Sequence, residues 1–290
     1  MNLLSEQENV RGCGKGCVNL RRKDLYVSKA ASKRIFALTL SLMMACSLIA
    51  FTGCGNEDVV ENQEENVQEQ QEQEKTPEQI AAEQAEAERI AALKADKEKG
   101  LFVLVNKQNS VDRSYVPDDL EGIKYYAADR TASARFMKSE AAAAFHELAE
   151  AAMEEGHKIV ITTAYRSYDF QSTLYNNYVA NYGQAEADTF SAKPGTSEHQ
   201  TGLATDVSSP SVNYQLTSDY INTPEGTWLN DNAHKFGFII RYQKDKESIT
   251  GYIYEPWHIR YVGKTAAKEI YEQGLALEEY LEQLKELELE

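Results

Sequence analysis

Five histidines occur in the 290 residues, few enough to weigh one by one. His199 stands in SAKPGTSEHQTGLATDV, seven residues before Asp206, and Gly195 and Gly202 allow tight backbone around it. Asp206 is embedded in the apolar run LATDV, where an unpaired carboxylate is costly to bury and a metal or another cation removes that cost. His258 follows Glu255 by three residues in YEPWHIRYV. Pro256 biases Glu255 toward an extended conformation, which lets the glutamate and the histidine address the same point. Two histidines and one carboxylate form a three-ligand zinc set that leaves a position for water. A further glutamate outside that set is then available as base for the water. The alternative is two core histidines with unrelated ionic partners.

The other three histidines read as structural. His146 lies in HELAE, but Glu150 stands where the helical zinc-protease motif requires a second histidine. His157 follows an expected helix end, where a histidine is favourable against the macrodipole, and His234 in NAHKF suits another helix end. Arg166 closes the run KIVITTAYRS at the mouth of a polar loop. It is either an ordinary ion-pair partner or, in a zinc peptidase, the cation that stabilises an oxyanion or clamps a terminal carboxylate.

These residues need elements to hold them. LFVLVNK from Leu101 reads as a strand and VPDDL as a turn-containing loop. Apolar positions at helical spacing (Ala142, Phe145, Leu148, Ala149, Ala152) predict a helix over Ser139–Glu155, stopped by Gly156. Lys158–Ala164 is a β-branched run and hence a buried strand. Asp169–Tyr182 reads as a helix with Leu174, Tyr178 and Val179 inward. Leu203–Val207, Gly237–Tyr242 and Ile259–Val262 are strands, and Thr265–Gln273 and Glu278–Leu289 are terminal helices. Short strands mixed with helices indicate an α+β fold.

The N-terminal third is different. Ile35–Thr52 is an apolar run behind Lys29, Lys33 and Arg34, the pattern of a secretory signal. Phe51-Thr52-Gly53-Cys54 resembles a bacterial lipoprotein box, with Cys54 as the lipidated residue. An uncleaved membrane anchor is the alternative. Either way the bulk of the chain is expected outside the cytoplasm, tethered to a membrane. Gly55 to about Lys75 is glutamate- and glutamine-rich and is expected to be disordered. Thr76, Pro77 and Gln79 then open a capping box for a helix to Lys99, read as a solvated spacer that Gly100 stops. The expected division is a presequence over 1–53, an acidic stalk with a spacer helix over 54–100, and a domain with a helical tail over 101–290.

The net charge of −16 argues against nucleic acid as a partner. It is unevenly placed: residues 1–53 carry +5, residues 55–99 carry −9 and the tail from Leu275 carries −5. All four cysteines lie at or before Cys54, so no disulfide closes the domain.

The segments TTAYRSYDFQSTLY, SAKPGTSEHQTGLATDV and FGFIIRYQKDKESITGYIYEPWHIRYVG resemble the successive signatures of the VanY-type zinc D-alanyl-D-alanine carboxypeptidases, a family that includes related L,D-carboxypeptidases. The resemblance covers about Leu101 to Gln273. It implies a small antiparallel sheet with helices packed on one side and zinc in the cleft. It assigns Zn2+ to His199, Asp206 and His258, the catalytic base to Glu255, and transition-state or carboxylate binding to Arg166. Gln171 and Ser197 match positions lining the substrate site, and Trp257 walls the pocket. The implied reaction is release of a terminal D-alanine from a peptidoglycan stem peptide. L,D-carboxypeptidase action on tetrapeptide stems is the alternative, and a non-catalytic cell-wall-binding lipoprotein the alternative of another class. The Ser-x-x-Lys and Lys-Thr-Gly signatures of the penicillin-binding serine enzymes are absent from the chain.

Overall fold

The structure is a computed structural model that describes residues 75–128 and 132–286. The apolar run at Ile35, Cys54 and the acidic segment up to Glu74 lie outside the described residues.

The first helix, α1 (Pro77–Glu98), opens as its capping box predicts. Thr76 Oγ1 accepts from the Gln79 N–H at 3.3 Å, and Gln79 Oε1 accepts from the Thr76 N–H at 2.9 Å. Its first turns are exposed, but the helix is not wholly a solvated spacer. Leu93 is buried in an apolar cluster, and the Arg89 guanidinium grips Glu269 through Nε and Nη2 at 2.7 and 2.9 Å.

The strand expected over Leu101–Lys107 does not form. Leu101 and Val105 are buried as their side chains require, yet among the described residues no neighbouring strand pairs with them. The carbonyls of Leu101 and Val103 instead accept from Arg260 Nη2 at 2.8 and 2.9 Å. A buried guanidinium thus takes the place of a ladder.

Beyond this segment β1 (Leu120–Gly122) and β2 (Phe136–Lys138) make a short antiparallel ribbon. The helix α2 (Ser139–Glu154) buries every apolar position predicted for it, and Gly156 follows at φ 86°. After β3 (Val160–Thr163) come α3 (Tyr168–Tyr182) and α4 (Gln184–Phe190). The buried residues of α3 are Gln171 and Tyr175; Leu174, Tyr178 and Val179 are only half-buried. Leu174 and Tyr178 line a cleft, so the face expected to turn inward is in part a wall of that cleft.

The remaining elements are β4 (Ala204–Ser208), α5 (Pro224–Asn232), β5 (Phe238–Tyr242), the single turn α6 (Glu247–Thr250), β6 (Glu255–Tyr261), α7 (Lys264–Gln273) and α8 (Leu277–Glu286). Four strands form an antiparallel sheet in the order β3-β4-β6-β5. Strand β6 begins four residues earlier than expected, at Glu255, which pairs with Tyr242. A register irregularity between Ile240 and Tyr242 accommodates Pro256, which has no N–H to give the ladder.

Alternation along the strands divides the sheet chemically. Val207, Ile259 and Tyr261 enter the main core, where they meet Phe145 and Leu148 of α2 and Trp228 and Leu229 of α5. Asp206, His258 and Arg260, one step out of phase, project from the opposite face. A second apolar cluster joins Leu93 of α1, Ile239 of β5, Ile270 of α7 and Tyr280 and Leu284 of α8. The architecture is α+β, a small antiparallel sheet with helices packed against it.

Candidate metal centre

Sheet register brings the first two residues together. Asp206 of β4 and His258 of β6 are direct antiparallel partners, so their side chains leave the same face side by side. The third arrives from a 3-10 turn, Glu198–Thr201, which carries His199 and ends at Gly202 with φ 71°. A Cβ on Gly202 would lie 3.1 Å from Leu120 and 3.2 Å from the Lys138 backbone nitrogen, so both space and dihedral call for glycine there. The Arg166 N–H donates to the His199 carbonyl at 3.1 Å, pinning the end of the β3 loop to this turn.

Within the site, His258 Nδ1 is 2.9 Å from Asp206 Oδ1, and His199 Nε2 is 3.3 Å from Asp206 Oδ2. His199, Asp206 and His258 are the one group of three ligand-type residues among the described residues whose donor atoms all lie within 4.8 Å of one another, and all three are buried. The second nitrogens fix which atoms face inward. His199 Nδ1 lies 2.7 Å from the Ala164 carbonyl and must carry its proton there, leaving Nε2 to offer a lone pair. His258 presents Nδ1 to the centre while its Nε2 points at Glu198 Oε2, 3.5 Å away.

The electrostatics suit a cation. Burial alone would raise the Asp206 pKa, but the two histidines outweigh it and hold the carboxyl well below the usual carboxylate range. Burial, with Arg166 nearby, lowers His199 to about 4, so the ring is neutral at pH 7. Burial also opposes the charged form of His258, yet the Asp206 carboxylate hydrogen-bonded at Nδ1 and the Glu198 carboxylate 3.5 Å from Nε2 lift it to about 9. In the metal-free protein that imidazolium fills the cation's role, and a metal entering the site displaces its Nδ1 proton. Two imidazole nitrogens and a carboxylate oxygen are a donor set that Zn2+ takes in tetrahedral sites with an open position. The residues present therefore fit such an ion.

Around this centre lies a cleft of about 510 Å³ whose lining includes Arg166, Ser197, Glu255 and Trp257. Glu255 is buried at the start of β6, with Oε2 4.0 Å from His258 Nδ1. Burial first, and then the Asp206 charge, push its carboxyl up to about 7 against the pull of His258 and Arg166. A carboxylate of that kind exchanges protons near neutrality. Arg166 donates from Nη1 to Gln171 Oε1 at 2.8 Å and from Nη2 to Asp206 Oδ2 at 3.2 Å, and its buried Nε has no hydrogen-bond partner among the described residues.

Gln171 departs from its expected place. It is buried behind Arg166, accepts from it and donates to the Ala192 carbonyl at 2.7 Å. It holds the arginine and is not part of the cleft lining. The histidines read as structural are elsewhere: His146 Nε2 accepts from the Lys124 N–H, His157 sits beside Trp228, and His234 stacks on Tyr271 at 3.8 Å.

Three wholly buried charges beneath the site, Glu198, Arg241 and Arg260, are missing from the sequence-based expectations. Glu198 Oε1 accepts from Arg241 Nε at 2.8 Å and Arg260 Nη1 at 2.9 Å, directly beneath His258. A signal was present, because each arginine interrupts an apolar strand run, in FIIRY and in HIRYV. A charge in such a place is rarely buried unpaired.

Comparison with known proteins points to one family. The VanY family, described as D-alanyl-D-alanine carboxypeptidase, matches residues 134–264. A D-alanyl-D-alanine carboxypeptidase of Enterococcus faecalis (strain ATCC 700802 / V583) is 36% identical over 211 residues, which span 69% of this chain and 73% of that protein. Among solved structures, the LD-carboxypeptidase LdcB, described for its peptidoglycan recognition, superposes with a TM-score of 0.60 at 46% identity, covering 62% of this chain and 84% of LdcB. A mutant of the vancomycin-resistance D,D-pentapeptidase VanY in complex with Zn(II) gives 0.53 at 36% identity, covering 62% of this chain and 98% of the other.

Proposed function

The chain belongs to the VanY family of D-alanyl-D-alanine carboxypeptidases, and from that membership we propose that it is a Zn2+-dependent carboxypeptidase removing the terminal D-alanine from peptidoglycan stem peptides. The observation that carries the zinc reading is the buried His199–Asp206–His258 group, whose donor atoms converge within 4.8 Å. His199 Nε2, an Asp206 oxygen and His258 Nδ1 would hold the ion. Zn2+ supplies Lewis acidity there, easing deprotonation of a water and polarising the scissile carbonyl.

The chain's own groups do the rest. Glu255, ionised, takes a proton from the attacking water on its carboxylate and returns one to the leaving amine of D-alanine. Arg166 offers its guanidinium to the developing oxyanion or to the substrate's terminal carboxylate, steadied by Gln171. Ser197 and Trp257 flank the peptide in the cleft.

D,D-carboxypeptidase action on pentapeptide stems is the first reading. L,D-carboxypeptidase action on tetrapeptide stems is the second, favoured by the 46% identity to LdcB. Digestion of purified tetrapeptide and pentapeptide muropeptides followed by mass spectrometry decides between them. Loss of one D-alanine from the pentapeptide supports the first reading, loss from the tetrapeptide alone overturns it, and no loss from either overturns the enzyme.

The proposal extends to placement. Residues 1–53 act as a presequence, Cys54 carries lipid, the segment from residue 54 through the exposed first turns of α1 forms the stalk, and the domain, which the packed end of α1 joins, reaches the wall outside the cytoplasm. The support is the sequence pattern around Ile35–Cys54. Among the described residues no helix is long and apolar enough to cross a membrane.

A further inference from the structure

Glu198 is wholly buried together with two guanidinium groups, those of Arg241 and Arg260. Only its Oε1 is engaged by them. Among the described residues Oε2 has no hydrogen-bond partner, and it lies 3.5 Å from His258 Nε2, which has none either. Two orphaned buried polar atoms facing each other are unusual, since such groups normally find partners. Arg241 is gripped in turn by Glu278 of α8, Nη1 to Oε2 at 2.9 Å and Nη2 to Oε1 at 2.6 Å. Arg260 spends its Nη2 on the Leu101 and Val103 carbonyls. The two arginines are thus balanced by two glutamates. Buried ionic clusters of this kind seldom outdo apolar packing as sources of stability. Its one unspent acceptor is aimed at the far nitrogen of an imidazole whose near nitrogen faces the metal centre.

An imidazole that gives Nδ1 to a metal carries its proton on Nε2, and that proton needs an acceptor. We propose that Glu198 is a positioning residue for His258: its Oε2 receives the His258 Nε2–H and fixes ring tautomer and orientation, while Arg241, Arg260 and Glu278 lock Glu198 in place as an anion. The inference rests on the reading of His258 as a zinc ligand. It also gives the C-terminal helix a part in the site, although α8 lies outside the segment matched by the family.

The test uses the full chain, with Zn2+ as probe. In the zinc-loaded wild type, histidine-selective nitrogen-15 NMR is expected to show the His258 proton on Nε2, downfield and slow to exchange. Glu198→Gln keeps the shape but replaces the anion, and its Zn2+ affinity, measured by competition with a chromophoric chelator, is expected to fall about 10- to 100-fold. If Glu198→Gln does not fold, the wild-type ring proton alone decides. A zinc-bound wild type whose His258 proton sits on Nδ1 or exchanges freely overturns the inference. So does a folded Glu198→Gln that binds Zn2+ as tightly as wild type. In both cases the carboxypeptidase reading stands. A wild-type chain that binds no Zn2+ sinks the reading of the site, and this inference with it.

Discussion

Glu255 and His258 are three residues apart on one strand, yet their environments drive them in opposite directions. Burial raises the glutamate to about 7, while two carboxylates raise the histidine to about 9 in the absence of metal. A general base must be ionised to accept a proton, so kcat/KM is expected to fall as the pH drops through the Glu255 pKa. The positive charge of a bound ion pulls that value down, which places the acid limb between about 4.5, the ordinary glutamate range, and about 7. Glu255→Ala removes the base without touching the three converging donor atoms. It is expected to retain Zn2+ and lose about 100- to 10,000-fold in kcat. A variant with full turnover, or a wild-type profile flat down to pH 4, would contradict the assignment.

At the scale of elements, the site depends on three placements: the antiparallel pairing of β4 with β6, the tight turn before Gly202, and the anchoring of α8. The last is the least obvious from the chain. Glu278 sits in an acidic tail that looks solvated, but its carboxylate closes a bidentate pair with the wholly buried Arg241 and also receives Asn106 Nδ2 at 3.1 Å. Glu278→Gln leaves Arg241 short of one charged acceptor. The expected cost is about 1–3 kcal/mol of stability, read as a lowered chemical-denaturation midpoint at unchanged slope. A midpoint equal to wild type would show that the tail helix does not buttress the core.

For the whole molecule, the absence of cysteine beyond Cys54 leaves the domain to its core and its buried charges. Asp206 and Glu198 are both held below their ordinary carboxyl range: against the opposing effect of burial, Asp206 by the two histidines and Glu198 by Arg241, Arg260 and His258. A depressed carboxyl contributes stability above its unfolded pKa and loses it as pH falls toward the folded value. The metal-free domain should therefore melt at markedly lower temperature once the pH drops below about 4. A melting temperature unchanged between pH 6 and pH 3 would count against the buried ionic cluster. Chelation of zinc should abolish hydrolysis and readdition restore it. Penicillin should neither label nor inhibit the protein, because no acylated serine takes part; covalent labelling would overturn the zinc mechanism.

Type and spacing alone singled out His199, Asp206, Glu255 and His258, because a carboxylate in an apolar run and two histidines in polar-to-aromatic blocks are costly unless they share a task. The helix over Ser139–Glu154 and the short strands were legible for a similar reason: apolar periodicity reports a buried face directly. Only the tertiary structure decided what lies beneath the site. Glu198, Arg241, Arg260 and Glu278 are spread over 81 positions, and no local pattern ties a tail glutamate to a strand arginine. The same is true of Leu101–Val105, apolar enough to be a strand but denied a ladder by the guanidinium that occupies its carbonyls. Local sequence determines which groups must leave water; which partner meets them there depends on register and packing between segments distant in the chain.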